Sequence, residues 1–349
     1  MRDDRRHGFG IIGCGVIAPF HANAIGELPG ARLVAVADAV PERARDMASA
    51  YGAEAVEIDA LLQRPDIEVV CICVPSGMHA DIGARVAAEG KHVVVEKPIE
   101  VTLVATDRLI AACPESGVTL SVISQHRWDR GVRELKELVE GGRLGRLVLG
   151  GAIVKWYRTQ DYYASGTWRG TRRLDGGGAL MNQGIHYVDL LQWMIGPVER
   201  VFARCRTSAH DAIEVEDIAL AVLSFASGAV GVVECSTAVY PGFSERLEVT
   251  ATGGTVIVEA GAMRVREMKD EKVETSAYGA NAENAAAVSS APEVPYLGHR
   301  EQLREVLEAI EAGRAPAIDG AEARKPLEII LAAYESARTG RDVDLPLRG

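Results

Sequence analysis

The sequence predicts a two-domain α/β protein. A doubly wound parallel sheet occupies residues 1–125, and an α+β domain with an open, largely antiparallel sheet occupies residues 126–349. Three observations predict it. As far as about Ser124, strand-like and helix-like stretches alternate with short connections, the pattern of repeated βα units. Beyond Gln125 strand-like stretches dominate and meet at short Gly-containing turns. A length of 349 residues also suits two domains better than one.

The first strand is the apolar run Phe9–Ile12, and a helix-like stretch covers Val16–Leu28. Between them stands Gly13-Cys14-Gly15-Val16-Ile17-Ala18. Gly13 permits a tight turn, Gly15 has no side chain to block a diphosphate, and the small Ala18 lets helix and strand pack closely. The N–H groups and positive dipole end of the new helix then face the phosphates. Gly13, Gly15, Val16 and Ile17 are therefore candidate cofactor contacts in a Rossmann arrangement. Ala31–Asp38 reads as a buried strand ending in an acid, at about the interval of 20 residues expected for a ribose-binding carboxylate. Such a carboxylate accepts bonds from both ribose hydroxyls and repels a 2′-phosphate. Ala39, Val40 and Pro41 place no cation beside it, although Arg43 and Arg45 follow. The expected cofactor is NAD rather than NADP. Asp38 is also placed to N-cap a helix that starts at Pro41, and the two roles are compatible.

Glu68–Pro75 is a continuous apolar strand, His79–Glu89 a helix stopped by Gly90, Lys91–Glu96 a strand, Thr102–Ala112 a helix and Thr119–Ser124 a strand. Ligands of open α/β sheets bind beyond the carboxyl ends of the strands. Pro75, Ser76 and His79 fall there after one strand, Glu96 and Lys97 after the next, and Gln125 after the last. All six are candidate cofactor contacts. Pro98 keeps Lys97 out of the α region, so the lysine projects from an extended strand end. Most lysines are solvated, but this one follows Val93-Val94-Val95 and is a candidate catalytic group.

In the second half a helix over Asp129–Glu140 ends at Gly141-Gly142. Strands over Asp217–Phe225 and Ala229–Ala238 flank one hairpin turn, and Ser244–Ala251 and Thr255–Glu259 flank another. A helix over Gln183–Ile195 stops at Gly196-Pro197, Ser276–Pro295 reads as a long loop, and Glu301–Ala312 and Ala321–Ser336 are closing helices. Asp175-Gly176-Gly177-Gly178 lets the backbone pass close to something before that first helix. Asn182, His186 and Asp189 then share one helical face. His186 would be unremarked in an apolar helix; the flanking glycines make it a candidate active-site group. Arg127, Lys155, Trp156, Arg158, Tyr163, Trp168 and Arg169 concentrate cations and aromatics in an acidic chain. Aromatic faces hold sugars, and guanidinium forks suit carboxylates or phosphates. With Asn182 and Asp189 they are candidate substrate contacts.

A net charge of −11 and 5% aromatics argue against a nucleic-acid partner. Six scattered cysteines form no CxxC pair, and Cys71 and Cys73 alternate within one strand as core residues, which suits a reducing cytoplasm. No His-x-x-x-His or Cys/His set suggests a metal. Arg5-Arg6 before the apolar run faintly resembles a signal peptide, but cleavage near Ala22 or Ala24 would destroy the phosphate loop, so a short basic tail is expected. No apolar stretch is long enough to span a membrane. The bare face of an open sheet has to be covered, and a homo-oligomer, dimer or tetramer, is expected.

Taken in order and spacing, Gly13 to Ala18, Asp38, Pro75-Ser76 with His79, Glu96-Lys97-Pro98 and Gly176 to His186 resemble the glucose–fructose oxidoreductase/inositol dehydrogenase (Gfo/Idh/MocA) family over nearly the whole length. The resemblance implies NAD(P) held between a Rossmann domain and an open-sheet domain, and a sugar, sugar derivative or cyclitol as substrate. It matches Lys97 and His186 to the family's active-site lysine and histidine. Many members carry aspartate four residues before the histidine; here it is Asn182, an amide that cannot take a proton at neutral pH. The proton work thus falls to Lys97 and His186, during hydride transfer at a secondary hydroxyl. Trp168 to Thr171 and Met181 to Asp189 are partly similar to a branch acting on UDP-N-acetylglucosaminuronate at C3, with Gly184-Ile185 and Arg173 departing from its pattern. The family leaves open a glycosidase that uses NAD for transient oxidation and elimination, and a non-catalytic nicotinamide-binding regulator.

Overall fold

The computed structural model describes residues 7–269 and 296–347. The expected basic tail at Arg5-Arg6 and the expected loop Ser276–Pro295 lie outside the described residues.

Six parallel strands build the first sheet: β1 (His7–Ile12), β2 (Ala31–Ala37), β3 (Glu54–Ala55), β4 (Val69–Ile72), β5 (His92–Val95) and β6 (Leu120–Val122). Helices α1 (Ala18–Gly26), α2 (Pro41–Tyr51), α3 (Ile58–Leu62), α4 (His79–Ala88) and α5 (Leu103–Glu115) connect them. The order β3-β2-β1-β4-β5-β6 reverses direction at β1. This is the switch point at which the loops after neighbouring strands splay apart and leave a crevice. Strands buried on both faces explain the unbroken apolar runs read from the sequence. Phe9, Ile11, Val36, Val69, Cys71 and Val94 form one core, and both strand cysteines lie in it.

The second sheet has eight strands in the order β13-β12-β11-β7-β10-β9-β8-β14. The elements here are α6 (Arg130–Glu140), β7 (Leu147–Lys155), α7 (Gln160–Ala164), α8 (Ile185–Ile195), β8 (Val198–Arg206), β9 (Ile218–Phe225), β10 (Val230–Ser236), β11 (Arg246–Ala251), β12 (Gly254–Glu259), β13 (Ala262–Met268) and β14 (Val343–Asp344). All neighbours pair antiparallel except β7 with β10. The central β7 was not marked as a strand by its sequence, because Gly150-Gly151 interrupts the apolar alternation. The glycine is required by packing: a Cβ at Gly150 would lie 2.2 Å from Ile195 and 2.6 Å from Leu191 of α8. One sheet face thus carries α8. The opposite face shows Leu149, Leu220, Val222, Val230 and Val232, each 42–48% exposed.

The closing helices are α9 (Leu297–Ala312) and α10 (Gly320–Thr339). The chain divides into Met1–Gln125 with Val294–Arg324, and His126–Glu293 with Lys325–Gly349. Where the sequence reading kept all of 126–349 together, the structure gives α9 to the first unit. Leu303, Val306 and Leu307 share a core with Ile25 of α1 and Leu28 just beyond it. Gln302 also braces β6, its Nε2 donating to the Val122 carbonyl at 2.7 Å and its Oε1 accepting from Ser124 N at 2.9 Å. Among the described residues no helix is long and apolar enough to cross a membrane.

Candidate active site

In the first unit the turn after β1 depends on Gly13. Its φ is +95°, and a Cβ there would lie 2.7 Å from the Cys73 carbonyl, so conformation and space both demand glycine. A Cβ at Gly15 would meet nothing within 4 Å, so the space over the loop is open. Helix α1 starts beyond it with no side chain capping Ile17. An uncapped helix start under open space fits a diphosphate. Asp38 closes the loop: Oδ2 accepts from Cys14 N at 2.7 Å and Oδ1 from Val40 N at 2.8 Å. Each oxygen keeps acceptor capacity for a ribose hydroxyl. The N-cap reading of Asp38 is corrected, since α2 is preceded by Val40 and no side chain caps it. Gln125 Oε1 is buried with no hydrogen-bond partner, as suits an acceptor for a bound ligand.

Ser76 is buried in a short 3₁₀ turn after Pro75. His79 takes a different part from the one its position suggested. Its Nδ1 lies 2.8 Å from the Pro98 carbonyl and its Nε2 2.9 Å from the Val74 carbonyl, so the buried ring staples two strand-end loops together. Burial lowers its pKa against the pull of those carbonyls. Glu96 is likewise buried and held by protein partners. Its Oε1 accepts from His21 Nε2 at 2.8 Å and lies 3.4 Å from His299 Nε2, while Oε2 accepts from Lys97 N at 3.1 Å. This trio is the one set of ligand-type atoms, all within 4.8 Å, found among the described residues. Both imidazoles converge on a single carboxylate oxygen at hydrogen-bond range, which describes a charge network holding the base of Lys97. Lys97 itself is half-buried after the buried β5, and its bond to Pro98 is cis.

Burial raises the Glu96 pKa, but the hydrogen bonds and charges of His21 and His299 outweigh it and hold the carboxyl well below the ordinary 4.5. A carboxyl depressed on folding contributes stability that is complete above about 4.5 and is lost as the pH falls through the folded value. Glu96→Gln should therefore lower Tm at pH 7. The gap from wild type should close on acidification below 4.5, as followed by calorimetry; a gap constant with pH would show that the charge is not involved.

In the second unit the triple glycine is set by a group that sequence reasoning missed. A Cβ at Gly178 would lie 1.7 Å from the Glu216 carbonyl oxygen, and one at Gly177 2.1 Å from the Tyr334 hydroxyl. The buried Glu216 carboxylate accepts from Gly178 N at 3.0 Å, Leu180 N at 2.9 Å and the Tyr334 hydroxyl at 3.0 Å. Burial pushes its pKa up against those donors. It thereby caps a π-helical turn, Ala179–Gly184, from which α8 continues. The expected helix Gln183–Ile195 thus begins four residues early and in a wider spiral. π-Turns of this kind recur at functional sites. Asn182 sits in that turn and donates from Nδ2 to Asp175 Oδ1 at 2.6 Å, which fixes which end of the amide is which. His186 lies in the first turn of α8, half-buried, its ring against His126 with centroids 4.9 Å apart.

Several expected substrate contacts have protein partners instead. Arg127 and Asp189 form a buried two-point pair, Nε to Oδ2 at 2.8 Å and Nη2 to Oδ1 at 2.5 Å, with 5% of Arg127 and 1% of Asp189 exposed. Tyr163 is buried; its hydroxyl bonds Thr237 Oγ1 at 2.7 Å, and burial pushes its pKa up to about 12. Lys155 ends β7 on the face opposite Gly150 and pairs with Glu234 at 2.9 Å, because alternate strand residues point to opposite faces. Trp156, Arg158, Trp168 and Arg169 instead build one ladder. Arg158 stacks 5.2 Å from the rings of Trp156 and Tyr162, and Arg169 4.5 Å from those of Tyr162 and Trp168. Arg169 spends one N–H on the Tyr162 hydroxyl at 2.9 Å and Arg158 one on the Tyr157 carbonyl at 3.4 Å, and stacking leaves other in-plane N–H groups of each fork for an anion.

Residues 7–124 match the model of the oxidoreductase family with an NAD-binding Rossmann fold, and residues 132–257 that of the GFO/IDH/MocA C-terminal domain. Myo-inositol 2-dehydrogenase of Thermotoga maritima is 27% identical, over 96% of this chain and 98% of that protein. Inositol 2-dehydrogenase of Rubrobacter xylanophilus is 31% identical, over 73% of this chain and 72% of that one. The crystal structure of the WlbA dehydrogenase from Bordetella pertussis in complex with NADH and UDP-GlcNAcA is 32% identical with a TM-score of 0.87, covering 99% of this chain and 100% of that one. An NAD-binding domain of this topology, joined to that open-sheet domain, makes the chain an oxidoreductase of the Gfo/Idh/MocA family, among whose members are sugar and cyclitol dehydrogenases.

Proposed function

We propose that the chain is an NAD-dependent dehydrogenase, or a reductase in the reverse sense, acting at a secondary hydroxyl or keto group of a sugar, sugar derivative or cyclitol. Lys97 and His186 handle the proton. The observation that supports this most is Lys97 itself: a half-buried ammonium at the carboxyl end of a buried strand of the NAD-binding sheet, its backbone anchored by the Glu96 network. Bound NAD supplies a hydride acceptor. Lys97 donates a hydrogen bond to the substrate oxygen and stabilises the charge that develops on it. The imidazole of His186 takes the hydroxyl proton on oxidation and returns it on reduction. Asn182 orients, since an amide neither gains nor loses a proton here.

The Arg158–Arg169 ladder favours a substrate bearing a carboxylate or diphosphate, and the WlbA dehydrogenase that this chain resembles was crystallised with UDP-GlcNAcA. A UDP-sugar acid is accordingly the first compound to test. A second copy of the chain covers the apolar sheet face in this reading. Purified protein supplied with NAD should form NADH with one member of a panel of inositols, aldoses and UDP-sugar acids. Deuterium at the oxidised carbon should appear in the nicotinamide, and light scattering of the same sample should give a dimer or tetramer. NAD binding without any deuterium transfer across the panel would leave a binding protein and reject the enzymatic reading.

A further inference from the structure

His186 has a second imidazole against it. The His126 ring meets it edge to face, centroids 4.9 Å apart and planes 84° apart. His126 is in turn fixed by Asp129, with Nδ1 2.8 Å from Oδ2. An ionised carboxylate can only accept, so Nδ1 carries the hydrogen and the basic nitrogen of the neutral ring is Nε2. The side chains of His126 and Asp129 are 26% and 27% exposed, so this pair reaches water. Asp129 immediately precedes α6, and the turn at Gly261 between β12 and β13 closes over it: a Cβ at Gly261 would lie 2.9 Å from Oδ2.

We propose that His126, oriented by Asp129, is the proton outlet of His186, a positioning residue that sets the protonation state His186 presents to substrate. The inference rests on the role given to His186 above. On oxidation the substrate hydroxyl proton passes to His186, from His186 to Nε2 of His126, and from the His126 imidazolium to water. The C–H electron pair leaves as hydride to NAD, so one hydride and one proton depart per turnover. In reduction the proton runs inward by the same route.

The surrounding groups favour this path over the alternatives. Another titratable ring, Tyr187, stands with its centroid 6.2 Å from that of His126. Burial first, then the carboxylates of Glu245 and Asp129, hold the Tyr187 hydroxyl well above its ordinary pKa, so it stays a neutral phenol. Glu259 adds to the same negative field, and Glu245 is anchored by Trp156 Nε1 at 3.2 Å. Asp129, hydrogen-bonded to the His126 ring, favours its imidazolium, the state an outlet must pass through. The neighbouring guanidinium of Arg127 is neutralised by Asp189.

The full chain carrying ¹³C-labelled histidine, titrated by NMR without substrate, should show His126 and His186 sharing two macroscopic steps. His126→Phe, which keeps a ring against His186, should convert His186 to a single displaced step, and Asp129→Asn should move both curves. With UDP-N-acetylglucosaminuronate or myo-inositol, whichever turns over, His126→Ala should lower kcat about tenfold with KM little changed. Added imidazole should restore it, whereas His126→Phe should resist rescue. A His186 curve unmoved by His126→Phe overturns the proposal, as does a His126→Ala loss that imidazole does not rescue. His186→Ala at full rate would instead remove the functional reading beneath it while leaving the titration coupling intact.

Discussion

Lys97→Met should lower kcat by about 10³-fold while NAD affinity and Tm stay near wild type. Methionine keeps the length and much of the apolar stem but offers no donor to the substrate oxygen. A positioned proton-transfer group is worth about 10² to 10⁴ in rate, so 10³ corresponds to roughly 4 kcal/mol of transition-state stabilisation. The backbone at this position should survive, because Lys97 N bonds to Glu96 whatever side chain it bears. The two effects separate cleanly: NADH formation reads the chemistry, and NAD titration by fluorescence quenching reads the binding site. Lys97→Arg should fall almost as far, since a planar fork cannot replace a compact ammonium. A Lys97→Met enzyme within about threefold of wild type would end the assignment of the lysine to the reaction.

What the sequence disclosed about this site follows distance along the chain. Gly13, Gly15 and Asp38 were legible because the glycine turn, the helix start and the next strand end occur at fixed local offsets, and topology alone brings them together. The strand end that places Lys97 was legible because a proline and a valine run mark it. Glu216 left no such trace. It lies 38 positions from Gly178, in a stretch that reads only as the start of a strand, yet it shapes the turn that carries Asn182. His21 and His299 meet at Glu96 from α1 and α9, 203 positions separating His299 from Glu96, so no spacing rule connects them. The aromatic and cationic cluster was legible only as a composition for the same reason. Composition shows that guanidiniums and carboxylates are present, but only three-dimensional pairing shows which charges are already neutralised.

Arg127 and Asp189 are the sharpest case, and their replacement should have the largest effect on stability. Arg127→Leu leaves the Asp189 carboxylate, 1% exposed, without its partner. Breaking a buried pair in this way costs about 3–5 kcal/mol, a fall in Tm of roughly 10 °C for a unit of this size. Arg127→Leu with Asp189→Leu should regain most of that loss, because two apolar side chains of similar volume replace the pair without an orphaned charge. Stacking of Arg127 on Trp193, 4.8 Å to the ring centroid, is lost in both variants and cancels in the comparison. Calorimetry of the two variants thus separates a brace from a substrate contact. A contact would leave the single variant stable and raise KM. A brace lowers Tm in the single variant and spares it in the double. The brace has a consequence for the chemistry: Asp189 lies three residues after His186 on α8, and Arg127 directly follows His126. The ion pair therefore ties together the two backbone segments whose imidazoles touch. In the double variant, stability should return before the shared titration of His126 and His186 does, because apolar side chains refill the volume without fixing the register that a two-point pair imposes.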